Sequence, residues 1–262
     1  PPASWEELKA MSMKIQAGER KADPGFYGFT WQGAQYEGLV CNFMEFASSG
    51  ARALDFSRLT SPEDVRALAF MRSAVADGFS PPNTYTEMKE EEVRAFFQDG
   101  HAAFERNWPY ALGLHQQEGS PVKGKVGIAP LPRWPGGAST SALGGWHIAV
   151  SRFSDDKKGA WEFVKFVTSP EVQKELALKL GWNPARMDVY KDKDVLKAYP
   201  HFSRLGVIFA NACPRPGLPY YTPLSAILQR HLNAALSGGA DPSAALAAAQ
   251  AEIKSAEERY RR

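Results

Sequence analysis

The feature that most constrains this chain is its punctuation: helices with clear start signals alternate with a few short strands, the pattern of an α/β protein. Ser4 and Glu7 form a capping box ahead of the apolar positions Trp5, Leu8, Met11 and Ile15. Ser61-Pro62, Ser169-Pro170 and Asp241-Pro242 each place a capping side chain before a proline suited to a first helical turn. Helical spacing also predicts helices over Tyr36 to Phe46, Met88 to Gln98, Lys158 to Thr168, Asp192 to Tyr199 and Leu224 to Leu236. Short strands are expected at Phe26 to Trp31, His101 to Glu105, Lys125 to Pro132 and His147 to Val150, the last of them buried. The aromatic residues of the Lys158 to Thr168 helix, Trp161, Phe163 and Phe166, read as core. No internal repeat is visible.

With 262 residues, 44% of them hydrophobic, there is material for a sizeable core in one large or two small domains. A net charge of +2, from 31 basic and 29 acidic residues without a basic face, argues against a nucleic-acid partner. No apolar run approaches the roughly 18 residues of a membrane span, and Pro1-Pro2-Ala3-Ser4 has the look of a cut start rather than a signal peptide. Cys41 and Cys213 fit neither a disulfide framework nor a zinc site and read as two buried thiols.

The search for chemistry returns mainly exclusions. Five histidines lie scattered without metal-ligand spacing, and no cofactor motif is present: no P-loop and no Gly-x-Gly-x-x-Gly after a strand. A Gly-x-Ser-x-Gly elbow is also lacking, and nothing pairs Asp55, Asp99 or Glu105 as acid and base, so the reading is of a protein that is not an enzyme. What recurs is aromatic residues in loops beside proline, glycine, asparagine and arginine. Asn107-Trp108-Pro109-Tyr110 is one such platform, Gly144-Gly145-Trp146 a second, and Arg215 with Tyr220 and Tyr221 a third. The two glycines let another group approach the backbone closely. Tyr36 fits either a cleft wall or the core stripe of its helix. Flat apolar faces edged by polar groups suit a sugar, whose C–H face lies on an indole while its hydroxyls bond outward. Any one of these aromatics can equally serve as a structural plug.

Pro2-x-Ser4-Trp5-Glu6-Glu7-Leu8, Ala95-Phe96-x-x-Gly100-x-Ala102-Ala103-Phe104 with Asn107-Trp108-Pro109-Tyr110, Leu143-Gly144-Gly145-Trp146, Ala160-Trp161-Glu162-Phe163-Val164-Lys165-Phe166 and Pro184-Ala185-Arg186 occur in this order. The ordered set covers nearly the whole chain and resembles the sugar-binding proteins of ABC importers, most closely the trehalose/maltose-binding members of the maltose-binding family. The resemblance implies a periplasmic-binding-protein-like α/β fold of two lobes (type II) that captures an α-linked glucose disaccharide and docks on membrane permease subunits. The resemblance also implies a protein in the periplasm or outside the cell, tied to the membrane by the transporter or a lipid anchor. Trp108 and Tyr110 would then stack on sugar rings, Gly144, Gly145 and Trp146 would lie where the chain crosses between lobes, Arg215 would bond hydroxyls, and Tyr36 is a weaker candidate.

In that family the Pro-x-Ser-Trp segment follows most of the first lobe. The expectation is therefore a carboxy-terminal portion: residues 1–143 in the second lobe, 144–205 the crossing and part of the first lobe, and 206–262 the return to the second. A second polypeptide or a missing amino-terminal segment would complete the first lobe, and alone the chain would expose a large apolar face. The rival readings are a glycoside hydrolase, which needs two facing carboxylates, and a non-transport relative that keeps the fold.

Overall fold

The structure is a computed structural model that describes residues 1–50 and 52–261. The helices whose sequence offers a capping residue begin directly after it. Ser4 accepts from the Glu7 amide at 3.1 Å, and the Glu7 carboxylate returns to the Ala3 amide at 2.7 Å, opening α1 (Trp5–Glu19). Strand β1 (Tyr27–Thr30) follows, then α2 (Glu37–Ser48), α3 (Pro62–Ala76) and α4 (Glu90–Gln98). Strand β2 (Ala102–Glu105) pairs in parallel with β1, Tyr27 opposite Ala102 and Thr30 opposite Glu105. A short α5 (Tyr110–His115) and β3 (Ser141–Leu143) come next, and then α6 (Lys157–Val167), α7 (Pro170–Leu180), α8 (Lys193–Ala198) and α9 (Phe202–Ala210). Strand β4 (Ala212–Pro214) pairs in parallel with β3, and α10 (Tyr221–Leu236) and α11 (Pro242–Arg261) end the fold.

Helix α2 is the axis of the main core. Every residue from Gly38 to Ser48 is buried, so its polar members need internal partners. Trp5 of α1 stacks on Phe46 with ring centroids 3.9 Å apart, and Trp134 donates its indole N–H to the Phe46 carbonyl at 2.7 Å. Leu68 and Met71 of α3, Leu224 and Leu228 of α10, and Leu246 of α11 complete this core. A smaller, separate cluster joins Ala177, Val189, Tyr190, Val195, Phe202 and Leu205 across α7, α8 and α9.

Four expectations need correction. Residues 147–150 are not a buried strand but an exposed, unpaired segment; the strand falls earlier, on Ser141–Leu143. Its last register pair is Leu143 with Pro214, and beyond it Gly144 and Gly145 bring no side chains to pack, so the ladder stops there. Lys125 to Pro132 runs without a strand partner, since Pro130 and Pro132 lack the N–H donors of a ladder; the nearest pairing is a bridge between Ser4 and Arg133. Helix α6 forms where its period places it, yet none of its residues is buried: Trp161 is 54%, Phe163 59% and Phe166 62% exposed, because nothing among the described residues packs on that stripe. Of the two cysteines only Cys41 is buried; Cys213 lies at the half-exposed edge of β4.

Candidate functional site

The start of α4 supports three of the expected site residues. Trp108 donates its indole N–H to the Glu90 carboxylate at 3.1 Å, Tyr110 donates its hydroxyl to Glu91 at 2.7 Å, and the Lys89 ammonium stands 5.5 Å from the centre of the Tyr36 ring. Burial and then the Glu91 hydrogen bond push the Tyr110 hydroxyl above the usual tyrosine range, while that bond together with Arg94 holds the Glu91 carboxyl low. The Tyr36 hydroxyl is buried with no hydrogen-bond partner, and desolvation, reinforced by the charge of Glu90, likewise raises it. A buried polar atom left unpaired is costly, and the Nδ1 of the buried His115 ring shares that condition.

Trp108 is held firmly. Asn107 accepts from the Trp108 backbone amide at 2.8 Å and donates to Glu105 at 2.6 Å, and Glu105 in turn lies 2.7 Å from the buried His115 ring of α5. The Arg106 guanidinium lies over the indole, 4.3 Å from its centroid. A recess of about 470 Å³ opens beside Trp108, walled by Phe97, Leu112 and His115 and by the extended 125–132 segment that takes the place of the expected strand.

Gly144 supplies the close approach its residue type allows, and the group that approaches is Trp108. A Cβ at Gly144 would sit 3.2 Å from Cζ3 and 3.3 Å from Cη2 of that indole, whereas Gly145 has nothing within 4 Å. Trp146 stands apart, its side chain fully open to solvent at 103% relative exposure. Arg215 reaches the start of α2 and donates to Glu37 at 3.0 Å; Tyr221 donates to the same carboxylate at 2.6 Å, and so does Ser225. The hydrogen bond to Glu37 outweighs desolvation in holding the Arg215 guanidinium above its ordinary value.

The chain thus brings Tyr36, Trp108, Gly144 and Arg215 into one region around the beginning of α2, with Tyr110 at its margin and Trp146 outside. The sequence offered no signal for Glu37, Glu90 and Glu91. Acidic residues in a first helical turn are expected simply from the macrodipole, and Glu90-Glu91-Glu92 fits that description completely. Among the described residues no group of three or more acidic, histidine or cysteine side chains is arranged to hold a metal ion.

The fold is that of a periplasmic-binding-protein-like α/β protein, the class the ordered motifs implied. Residues 1–204 match the model of the bacterial extracellular solute-binding proteins, and the chain belongs to that family. A probable ABC transporter-binding protein of Deinococcus radiodurans is 44% identical over 221 residues, covering 82% of this chain and 52% of the relative. The solved structure of maltose-bound MalE3 from T. maritima superposes with a TM-score of 0.88 at 41% identity, covering 97% of this chain and 65% of that one. An ABC transporter solute-binding protein of Agrobacterium radiobacter K84 in complex with ribitol superposes at 0.84 with 27% identity, over 97% and 65% of the two chains. The chain thus spans between about half and two thirds of the length of these relatives. Family membership carries an extracellular role for the group, and no helix among the described residues is long and apolar enough to cross a membrane.

Proposed function

We propose that the chain is the sugar-gripping part of an extracytoplasmic solute-binding protein, which captures an α-linked glucose disaccharide of the trehalose/maltose type and delivers it to the permease of an ABC importer. The observation that carries the reading is the Trp108 platform: an indole fixed through its ring N–H, its backbone N–H and a guanidinium over its face, with the unpaired Tyr36 hydroxyl and the Arg215–Glu37 pair in the same region. Preorganised aromatic faces of this kind bind sugars without the entropy loss of ordering them on contact. The maltose-bound relative favours a disaccharide and the ribitol-bound one an open-chain polyol, so the ligand panel has to contain both. Each carboxylate in the site is already taken up by protein donors, Glu37 by three, Glu90 by Trp108 and Glu91 by Tyr110 and Arg94, an arrangement that suits binding rather than hydrolysis.

The division into residues 1–143, 144–205 and 206–262 follows the same reading, in which the smaller apolar cluster belongs to the first lobe. A preceding segment or second polypeptide would cover the exposed stripe of α6, and tethering would come from the transporter or a lipid anchor. Calorimetric titration with maltose, trehalose and ribitol tests the ligand. Saturable binding of a disaccharide that Trp108→Ala abolishes supports the proposal; no binding of any of the three, or unchanged affinity in Trp108→Ala, refutes it. Release of glucose from maltose would favour the hydrolase instead. Native mass spectrometry of material from the producing cell tests the covering segment, through a second polypeptide held to this one or a longer mass.

A further inference from the structure

Glu45 and Arg106 form an ion pair inside the main core, their side chains only 2% and 3% exposed. Buried pairs of this kind are weak contributors to net stability, because desolvation offsets most of the attraction, so the placement of this one needs another reason. The geometry supplies it. Arg106 donates through Nε to Glu45 Oε2 at 2.7 Å, through Nη2 to Oε1, and through Nη1 to Gln32 at 2.9 Å, so the guanidinium plane has no freedom to turn. That plane is the one lying over the Trp108 indole. Glu45 Oε1 also accepts from the backbone N–H of Ala142 at 3.0 Å, two residues before Gly144, the glycine against which the same indole rests.

We infer that Glu45 is a positioning residue for the binding platform: one buried carboxylate on α2 holds both neighbours of the Trp108 indole, Arg106 directly and Gly144 through β3. The inference deepens the sugar-binding reading and rests on it for its functional consequence, but the positioning itself is independent of any ligand. It also gives a route by which the platform and the crossing segment after β3 feel each other, since displacement of either pulls on the same oxygen.

The test is the indole N–H resonance of Trp108 in the nitrogen–proton spectrum of the chain, identified by its loss in Trp108→Phe. Glu45→Gln removes the charge that fixes the guanidinium. Glu45→Asp keeps the charge but shortens the reach by about 1.5 Å, so that both partners cannot be held, and it serves if the amide variant does not fold. Trp5 and Trp134, whose indole N–H groups bond Ser49 and the Phe46 carbonyl just beyond Glu45, are internal controls for a disturbance of α2 itself. The expected result is a Trp108 resonance displaced by more than its line width while those of Trp5 and Trp134 stay in place, and a maltose affinity lowered about tenfold or more. A Trp108 resonance unmoved in a folded variant overturns the inference, and so does a displacement shared by all three, which marks general loosening. A moved resonance in a protein that binds no maltose upholds the positioning role and removes the sugar-binding reading.

Discussion

Replacing Gly144 by alanine tests the packing on which the site depends, and Gly145 beside it is a built-in control. Neither glycine has a positive φ, so alanine strains neither backbone. At both positions the added methyl restricts the unfolded chain and is expected to stabilise by about 0.4–1 kcal/mol where there is room. Room exists at Gly145 and not at Gly144, where the new Cβ would meet the Trp108 ring at 3.2 Å. Carbon atoms are comfortable at roughly 3.5–4.0 Å, so the shortfall is a few tenths of an ångström, for which overpacking costs about 1–3 kcal/mol. Because the unfolded-state gain is common to both, the difference between the variants isolates the clash. Gly144→Ala should unfold in urea at lower concentration than Gly145→Ala by about 1–3 kcal/mol of stability, with a changed Trp108 emission. Equal stabilities and unchanged emission in the two variants would show that the indole does not rest on Gly144, and the account of the platform would have to be abandoned.

Glu37→Gln replaces the acceptor shared by Arg215, Tyr221 and Ser225, and loss of its charge should cost about 1–3 kcal/mol in urea unfolding; no change would mean the three donors find other partners. Burial pushes the Cys41 thiol up to about 12, so Ellman's reagent at pH 8 should label Cys213 quickly and Cys41 only on unfolding; two equally fast thiols would contradict the burial. The sign of the pH effect follows from the same shift. The unfolded thiol loses its proton from about its ordinary value of 9.0 while the folded one keeps it to about 12, so the Cys41 contribution falls as pH rises across that interval, and Cys41→Ala should flatten the fall. The double change Trp161→Gln and Phe166→Gln should reduce concentration-dependent association in sedimentation experiments, since these rings stand open on α6; an unaltered sedimentation profile would place any self-association elsewhere.

The helices were legible because their signals are local: Ser4, Ser61 and Ser169 cap from within three residues of the amides they bind. The strands were legible only in part. Phe26 to Trp31 and His101 to Glu105 have the right composition and do pair, but composition could not tell that His147 to Val150 has no strand beside it, since the partner of β3 comes about seventy positions later and its pairing stops at Leu143. Nothing in Lys158 to Thr168 distinguishes a stripe that is covered from one that is not, since the period reports only that a face is apolar. Helix α9 went unseen because Gly206 interrupts its apolar run and its length is only 9 residues. At the site, aromatic residues in proline- and glycine-rich loops marked Trp108 and Gly144 from sequence alone. The carboxylates that hold them in place were hidden in ordinary helix beginnings, because a first-turn glutamate has the same local setting whether it faces solvent or an indole.

Both parallel ladders join stretches about seventy residues apart in the chain, Tyr27 with Ala102 and Ser141 with Ala212. Each pairing closes a long loop before it forms a single ladder bond, whereas α10 and α11 meet across one short turn. During synthesis β3 leaves the ribosome well before β4 exists, and waits without its ladder partner while α6 to α9 are made. The helical hairpin should therefore acquire amide-exchange protection first on refolding, and the β3–β4 ladder among the last; early protection of Cys213 would reverse that order. The region that presents Gly144 to Trp108 is thus the part of the molecule that is completed late, and the setting of the Trp108 indole matures only when the final third of the chain has arrived.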